Sequence, residues 1–204
     1  MREEKDMPWD LAFFGTGTDV YHIVQWFFIY SILGWIVETI YMSICGRRFV
    51  NRGFIFGPIC PIYGFGALIA YFLLRPLADN LVLLYLAGGI MATAWEFLVA
   101  KVMMAVFGEV WWDYSEKPFN YKGILCLESS VAWGFYVIIL FTFLHKFVMF
   151  LSDLYPYQTG CILGGVLMVY YLVDFTVHLC KAKFPEVPDK ARRIKNKFVS
   201  FCRS

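Results

Sequence analysis

The chain has 204 residues, of which 60% are hydrophobic, 20% aromatic and only 17% charged, against about a quarter charged in ordinary soluble domains. A net charge of +2 gives no electrostatic footprint for nucleic acid, and the length suits one membrane domain with short appendages rather than two independent domains. The composition predicts an all-α integral membrane protein, a bundle of about five transmembrane helices. The opening MREEKDMPWDLAFFGTGTD lacks a short apolar run followed by a small-residue cleavage site, so no removable signal peptide is expected. Residues 1–21 read as an extracytoplasmic N-terminal segment.

A helix crossing about 30 Å of hydrocarbon needs roughly 20 mainly apolar residues. His22–Cys45, Leu81–Phe107, Gly123–Phe147 and Tyr157–Cys180 meet that length. Phe54–Leu74 meets it too, but begins FIFGPICPIYGFGA. Proline removes a backbone donor and obstructs the preceding turn. Irregular backbone at membrane depth survives only where protein or a water-filled cavity satisfies it. The second helix is therefore expected to be broken or kinked, with Gly57–Gly66 as a bent lead-in. The transmembrane domain then covers 22–180, and 181–204 forms a basic cytoplasmic tail.

Basic residues orient the bundle. Five crossings put Arg47, Arg48, Arg52, Lys117, Lys122 and the eight basic residues after Cys180 on one side, thirteen in all, against Arg2, Lys5, Arg75 and Lys146 on the other. The positive-inside rule places the N-terminus outside and the C-terminus in the cytoplasm. Within the tail, Ala191, Ile194, Phe198 and Phe201 recur at helical spacing among basic residues, a pattern that fits either an interfacial amphipathic helix on an anionic leaflet or a solvated basic tail. The six cysteines include no CxxC pair, so they read as packing residues rather than a zinc site.

Ionisable residues inside the spans are costly and usually face the bundle interior or a cavity. At 1.5 Å per residue, Glu38, Glu96 and Asp174 fall about 24, 22 and 25 Å below the outer ends of their helices, and Glu128 about 7 Å in from the cytoplasmic start of helix 4. All four lie in the inner half of the membrane. Such a layer fits three arrangements. It can line a path for an ion or cationic solute, or pair with Arg47, Arg48, Arg52 and Lys101 to hold helices together. With His178, one turn beyond Asp174, it can also bind a divalent metal, although Asp174 and His178 approach the interface and are the weaker metal candidates.

Two cytoplasmic loops, Asn51–Ala67 and Trp111–Gly134, are unusually rich in glycine, proline, aromatic and polar residues. Asp113, Ser115 and Asn120 are good turn and capping residues, which fits a structural hairpin. Asp113 is also a candidate for ordering a cytoplasmic mouth.

GWIVET at Gly34–Thr39, NRGFIFGPICPIYGFGA at Asn51–Ala67, WEF at Trp95–Phe97 and WDYSEKPFNYKGILCLESSVAWG at Trp112–Gly134 together resemble the type IV ABC-transporter membrane proteins, the CmpB-like family. The resemblance covers roughly Tyr21 to Tyr136. It implies a multi-pass bacterial membrane protein, placed in the cytoplasmic membrane, with a permease role. Glu128 occupies a position where that family is expected to vary.

The sequence has no G-x-x-x-x-G-K-[ST] loop, so an ATP-driven permease would need a separate ATPase subunit on the cytoplasmic loops. Assembly as a homo-oligomer or with another membrane subunit is expected, with membrane lipids as partners and no cofactor. The leading reading is a transport protein with a polar cavity opening to the cytoplasm. Its solute or ion would meet Glu38, Arg52, Glu96, Asp113, Tyr114, Asn120 and Glu128. Two other classes stay open. One is an intramembrane enzyme on a lipid-linked or small amphipathic substrate, although GxSxG and HExxH motifs are absent from the sequence. The other is a sensor or scaffold acting through the basic tail.

Overall fold

Four helices are long and apolar enough to cross a bilayer: α1 (Val20–Gly46), α3 (Leu81–Phe107), α4 (Leu127–Ser152) and α5 (Tyr157–Lys183). Their side chains are apolar all round, and large residues such as Ile90 remain 74% exposed, as a lipid-facing surface requires. A shorter apolar helix, α2 (Pro61–Leu74), runs on through a 3₁₀ turn at Arg75–Leu77. The computed structural model describes residues 18–53 and 57–183. The amphipathic pattern expected at Pro188–Ser204 and nearly all of the 1–21 segment lie outside the described residues.

Each helix starts and stops on a local cue. Asp19 caps α1, accepting from the His22 amide at 2.8 Å. The helix ends where Arg47 takes a left-handed conformation and the Arg48 amide turns back to the Ser43 carbonyl at 3.2 Å, a C-terminal closure usually given to glycine. Asn80 caps α3 through the amides of Val82 and Leu83, and Gly108 closes it at φ 77°. Pro61 opens α2 at its first turn, where a missing N–H costs nothing.

The second helix therefore starts at Pro61, inside the expected bent lead-in, and then continues unbroken. Only Gly57–Cys60 of the predicted lead-in is non-helical, while Gly64 and Gly66 sit inside α2. Packing explains the difference. A Cβ at Gly64 would run into Ser31 Oγ and Phe27 of α1, and one at Gly34 into the Tyr63 ring, so these glycines seat α2 against α1 rather than bend it. The Cys60 amide, just ahead of the helix, donates to the Ser31 carbonyl at 3.0 Å. Gly64→Ala is expected to cost about 1–3 kcal/mol by overpacking. Gly165→Ala, where a new Cβ would meet nothing, should be neutral or stabilising by up to about 1 kcal/mol. Thermal unfolding of the purified chain in detergent compares the two.

Helix 4 also begins later than Gly123. Residues 120–126 form a two-stranded hairpin, β1 (Asn120–Tyr121) against β2 (Leu125–Cys126), with Asn120 opposite Cys126. Gly123 adopts φ 71° in its turn. Cys126 then caps α4, its Sγ accepting from the Ser129 amide. A π-turn at Leu140–Leu144 adds a residue to the turn. It keeps Val137 before it, Leu140 within it, and His145 and Val148 after it buried. His145 Nδ1 meets the Tyr30 hydroxyl at 2.7 Å, tying α4 to α1.

The helices alternate in direction. At one end Tyr155 and Gln25 are hydrogen-bonded, and Gln25 donates to the Gly160 carbonyl. At the other, Arg52 of the loop after α1 pairs with Glu38 and donates to the Trp111 carbonyl, and the Trp111 ring faces His178 of α5. That second end is the loop end, and the candidate site lies there.

Candidate functional site

Glu96 belongs to the packed stripe of α3. The buried residues Leu84, Gly88, Glu96, Ala100 and Met103 share one helical face, so the carboxylate is carried into the bundle at 3% exposure. Tyr114 donates its hydroxyl to Oε1 at 3.0 Å. Trp133 Nε1 donates to Oε2 at 3.1 Å, and Ser129 Oγ lies 3.4 Å from the same oxygen while its hydroxyl is closer to the Cys126 carbonyl, at 2.9 Å. All three groups are uncharged, and among the described residues no Lys, Arg or His nitrogen lies within 4 Å of this carboxylate. Lys101, the nearest cation along α3, rests instead over the Phe97 ring at 5.3 Å.

Glu38, on the last third of α1, is held differently. Arg52 Nε pairs with Oε2 at 3.2 Å, both side chains being about three-quarters buried, and the Tyr63 hydroxyl donates to Oε1. Arg52 is itself fixed from two sides. Its Nη1 donates to the Trp111 carbonyl at 3.0 Å and its amide to Thr39 Oγ1 at 3.3 Å. One guanidinium thereby joins α1, the loop after α1 and the segment after α3, which its forked donors permit.

The start of α2 wedges between the two acids. Tyr63, bonded to Glu38, has its ring 6.0 Å from the ring of Trp133, which is bonded to Glu96. Trp95, the neighbour of Glu96, donates to the Ile62 carbonyl at 3.1 Å. Tyr114 bonds Glu96 directly, and the Trp111 carbonyl, three residues before it, bonds the Arg52 that pairs with Glu38. The surroundings of the two acids are thus joined through the Tyr63–Trp133 ring contact and through residues 111–114. In this conformation their oxygens face donors of the chain itself.

The other candidates separate from this cluster. Asp113 is exposed and forms a turn, accepting from the Ser115 amide at 2.9 Å and from its hydroxyl. Those two donors hold its carboxyl below the usual value. Asn120 braces the same hairpin through the carbonyls of Ser115 and Lys117 and the amide of Gly123. Both are hairpin residues that present Tyr114. Burial, then the nearby Glu96 carboxylate, push the Tyr114 phenol well above its ordinary value, so it remains a donor at neutral pH.

Glu128 does not join the inner layer. It lies exposed at the first turn of α4, paired with Lys117 at 2.8 Å, which raises the Lys117 ammonium pKa. Asp174 is buried, but against Gly57, Ile59, Tyr170 and Tyr171 around a void of about 10 Å³. His178 faces Trp111 at 6.5 Å. Among the described residues no three His, Cys, Asp or Glu side chains gather as a metal site.

Tyr63, Ser129 and Trp133 are the site residues that the sequence reading did not single out. Ser129 and Trp133 are four apart, one face of a helix. That spacing, in ESSVAWG, was the available signal.

An all-helical fold with apolar outer faces and a buried acid pair at one end defines a polytopic membrane protein with a polar inner site. The chain belongs to the family described as Putative ABC-transporter type IV, which matches residues 25–179. The match takes in α5 as well as the four motifs. No curated protein and no solved structure matches the chain.

Proposed function

We propose that the chain is the membrane-spanning component of a transporter, with Glu38 and Glu96 as the binding groups for its cationic solute or coupled cation. The carrying observation is Glu96, a 3% exposed carboxylate within an apolar helix, held by the neutral donors Tyr114 and Trp133 and by no cation among the described residues. Intramembrane carboxylates are costly and mark ion or substrate paths. Neutral donors orient an ionised carboxylate without cancelling its charge, which leaves that role to a proton or an incoming cation.

Arg52 is the movable partner in this reading. Released from Glu38, it exposes the second acid; restored, it closes the site. The distribution of basic residues supports a topology with the loop end in the cytoplasm and the N-terminus outside, in a bacterial cytoplasmic membrane. A separate ATPase subunit docks on residues 47–60 and 108–126, and the permease works as a homo-oligomer or with another membrane subunit.

In liposomes the purified chain, with its ATPase partner where one co-purifies, should move cations. Glu38→Gln and Glu96→Gln should each abolish that flux while the protein remains folded. Unchanged flux in both variants would contradict the proposal.

A further inference from the structure

On the outer side of α3, away from the acid pair, an open groove of about 550 Å³ runs between α3 and the first turns of α4. That is the size range of small-molecule sites. Its floor is apolar, with Leu86, Ile90 and Val131 along it, and it exists because Gly89 and Ala94 present almost no side chain there. Its loop end is built differently. Phe97 lines the groove, and the Tyr121 ring of the hairpin packs 6.3 Å from it. Lys101 Nζ lies over Phe97 at 5.3 Å and Lys122 Nζ over Tyr121 at 5.5 Å. Both lysines are exposed. Among the described residues neither forms an ion pair within 4 Å, and the neighbouring Glu128 is taken by Lys117.

An apolar trough with two ammonium groups at one mouth is complementary to a molecule with an apolar tail and an anionic head. Lys101 lies about 9 Å inside the end of α3, near enough for its stem to carry the charge to the interface. Lys122 sits on the hairpin just beyond. We infer that this groove binds one anionic phospholipid, with an acyl chain along Leu86–Ile90–Ala94 and its phosphate between Lys101 and Lys122. A second copy of the chain fits less well. A two-fold axis along the membrane normal would face each groove with its own image, bringing four lysines together at one level.

Native mass spectrometry of the full chain tests the assignment, using phosphatidylglycerol and phosphatidylcholine with identical dioleoyl chains. One phosphatidylglycerol should be retained per chain, preferred over phosphatidylcholine by about 30-fold for two lysines near the headgroup. The K101Q/K122Q variant should lose most of that preference. Ala94→Trp, on an exposed position, should lower retention of both lipids by filling the trough. Glycerol 3-phosphate should not displace the lipid. Equal retention of the two lipids, or an unchanged preference in K101Q/K122Q, overturns the inference. Displacement by glycerol 3-phosphate would assign the lysines to a soluble anion instead. A homodimer that Ala94→Trp dissociates, with lipid retention unaltered, would assign the groove to a second copy.

Discussion

Glu96→Leu is expected to be the most destabilising single change at the loop end, costing about 2–4 kcal/mol. Leucine fits an apolar helix, but it strands Trp133 Nε1 and the Tyr114 hydroxyl, which lose their common acceptor; Ser129 Oγ keeps the Cys126 carbonyl at 2.9 Å. Each buried donor left unpaired costs about 1–3 kcal/mol. The sum is discounted because these side chains are half-buried and part of their need can be met by water. Glu96→Gln keeps an acceptor oxygen and should cost much less. Glu128→Gln, which breaks only an exposed pair, should stay within about 0.5 kcal/mol of wild type. Thermal unfolding in one detergent ranks the three, and a Glu96→Leu midpoint equal to that of Glu128→Gln would refute the buried cluster.

Arg52→Ala is the second large effect, expected at about 1.5–3 kcal/mol. Removing one partner of a fully buried ion pair costs about 3–5 kcal/mol; this pair is about one-quarter exposed, so the figure is reduced for solvent screening. The loss is more than a charge, because Arg52 also carries the contact to the Trp111 carbonyl. Lysine is a single point donor and does not reproduce a fork aimed at Glu38 and Trp111 together. Arg52→Lys should therefore recover less than half of the lost stability. Combining Arg52→Ala with Glu38→Gln should cost less than the two single changes added, because the pair interacts directly. Strict additivity in that double-mutant cycle would show that Glu38 and Arg52 do not support one another.

The class of the protein is legible in its composition because a bilayer imposes a length and an apolar surface on every crossing helix. Leu81–Phe107 shows this well: the hydropathy run and the observed helix share the same bounds. Legibility falls where packing decides. Gly64 and Gly66 look like helix breakers along the chain, yet in space they are the small faces that let α2 approach α1 and Trp95. Depth is legible only where the helix ends are. Glu38 and Glu96 were separable as intramembrane acids, but Glu128 falls at the first turn of a helix that starts at Leu127 rather than Gly123, where it pairs with Lys117. The donors Tyr63 and Trp133 were hidden because an aromatic residue in an apolar helix signals core far more often than a hydrogen-bond role. Asp113 and Asn120 followed their ordinary turn chemistry, which places them beside the site rather than in it.

The central claim is that Glu38 and Glu96 form one cation-binding site, and cation-dependent stability tests it most directly. The melting midpoint of the purified full chain would be followed against sodium, potassium, magnesium, calcium and small organic ammonium ions at constant ionic strength. A cation bound at 100 times its Kd adds about 2.7 kcal/mol to stability, which for a chain of this size raises the midpoint by roughly 5–10 °C. The account predicts such a shift for at least one cation in the wild type, and its loss in both Glu38→Gln and Glu96→Gln. A shift that survives both substitutions, or no shift with any of these cations, would contradict it.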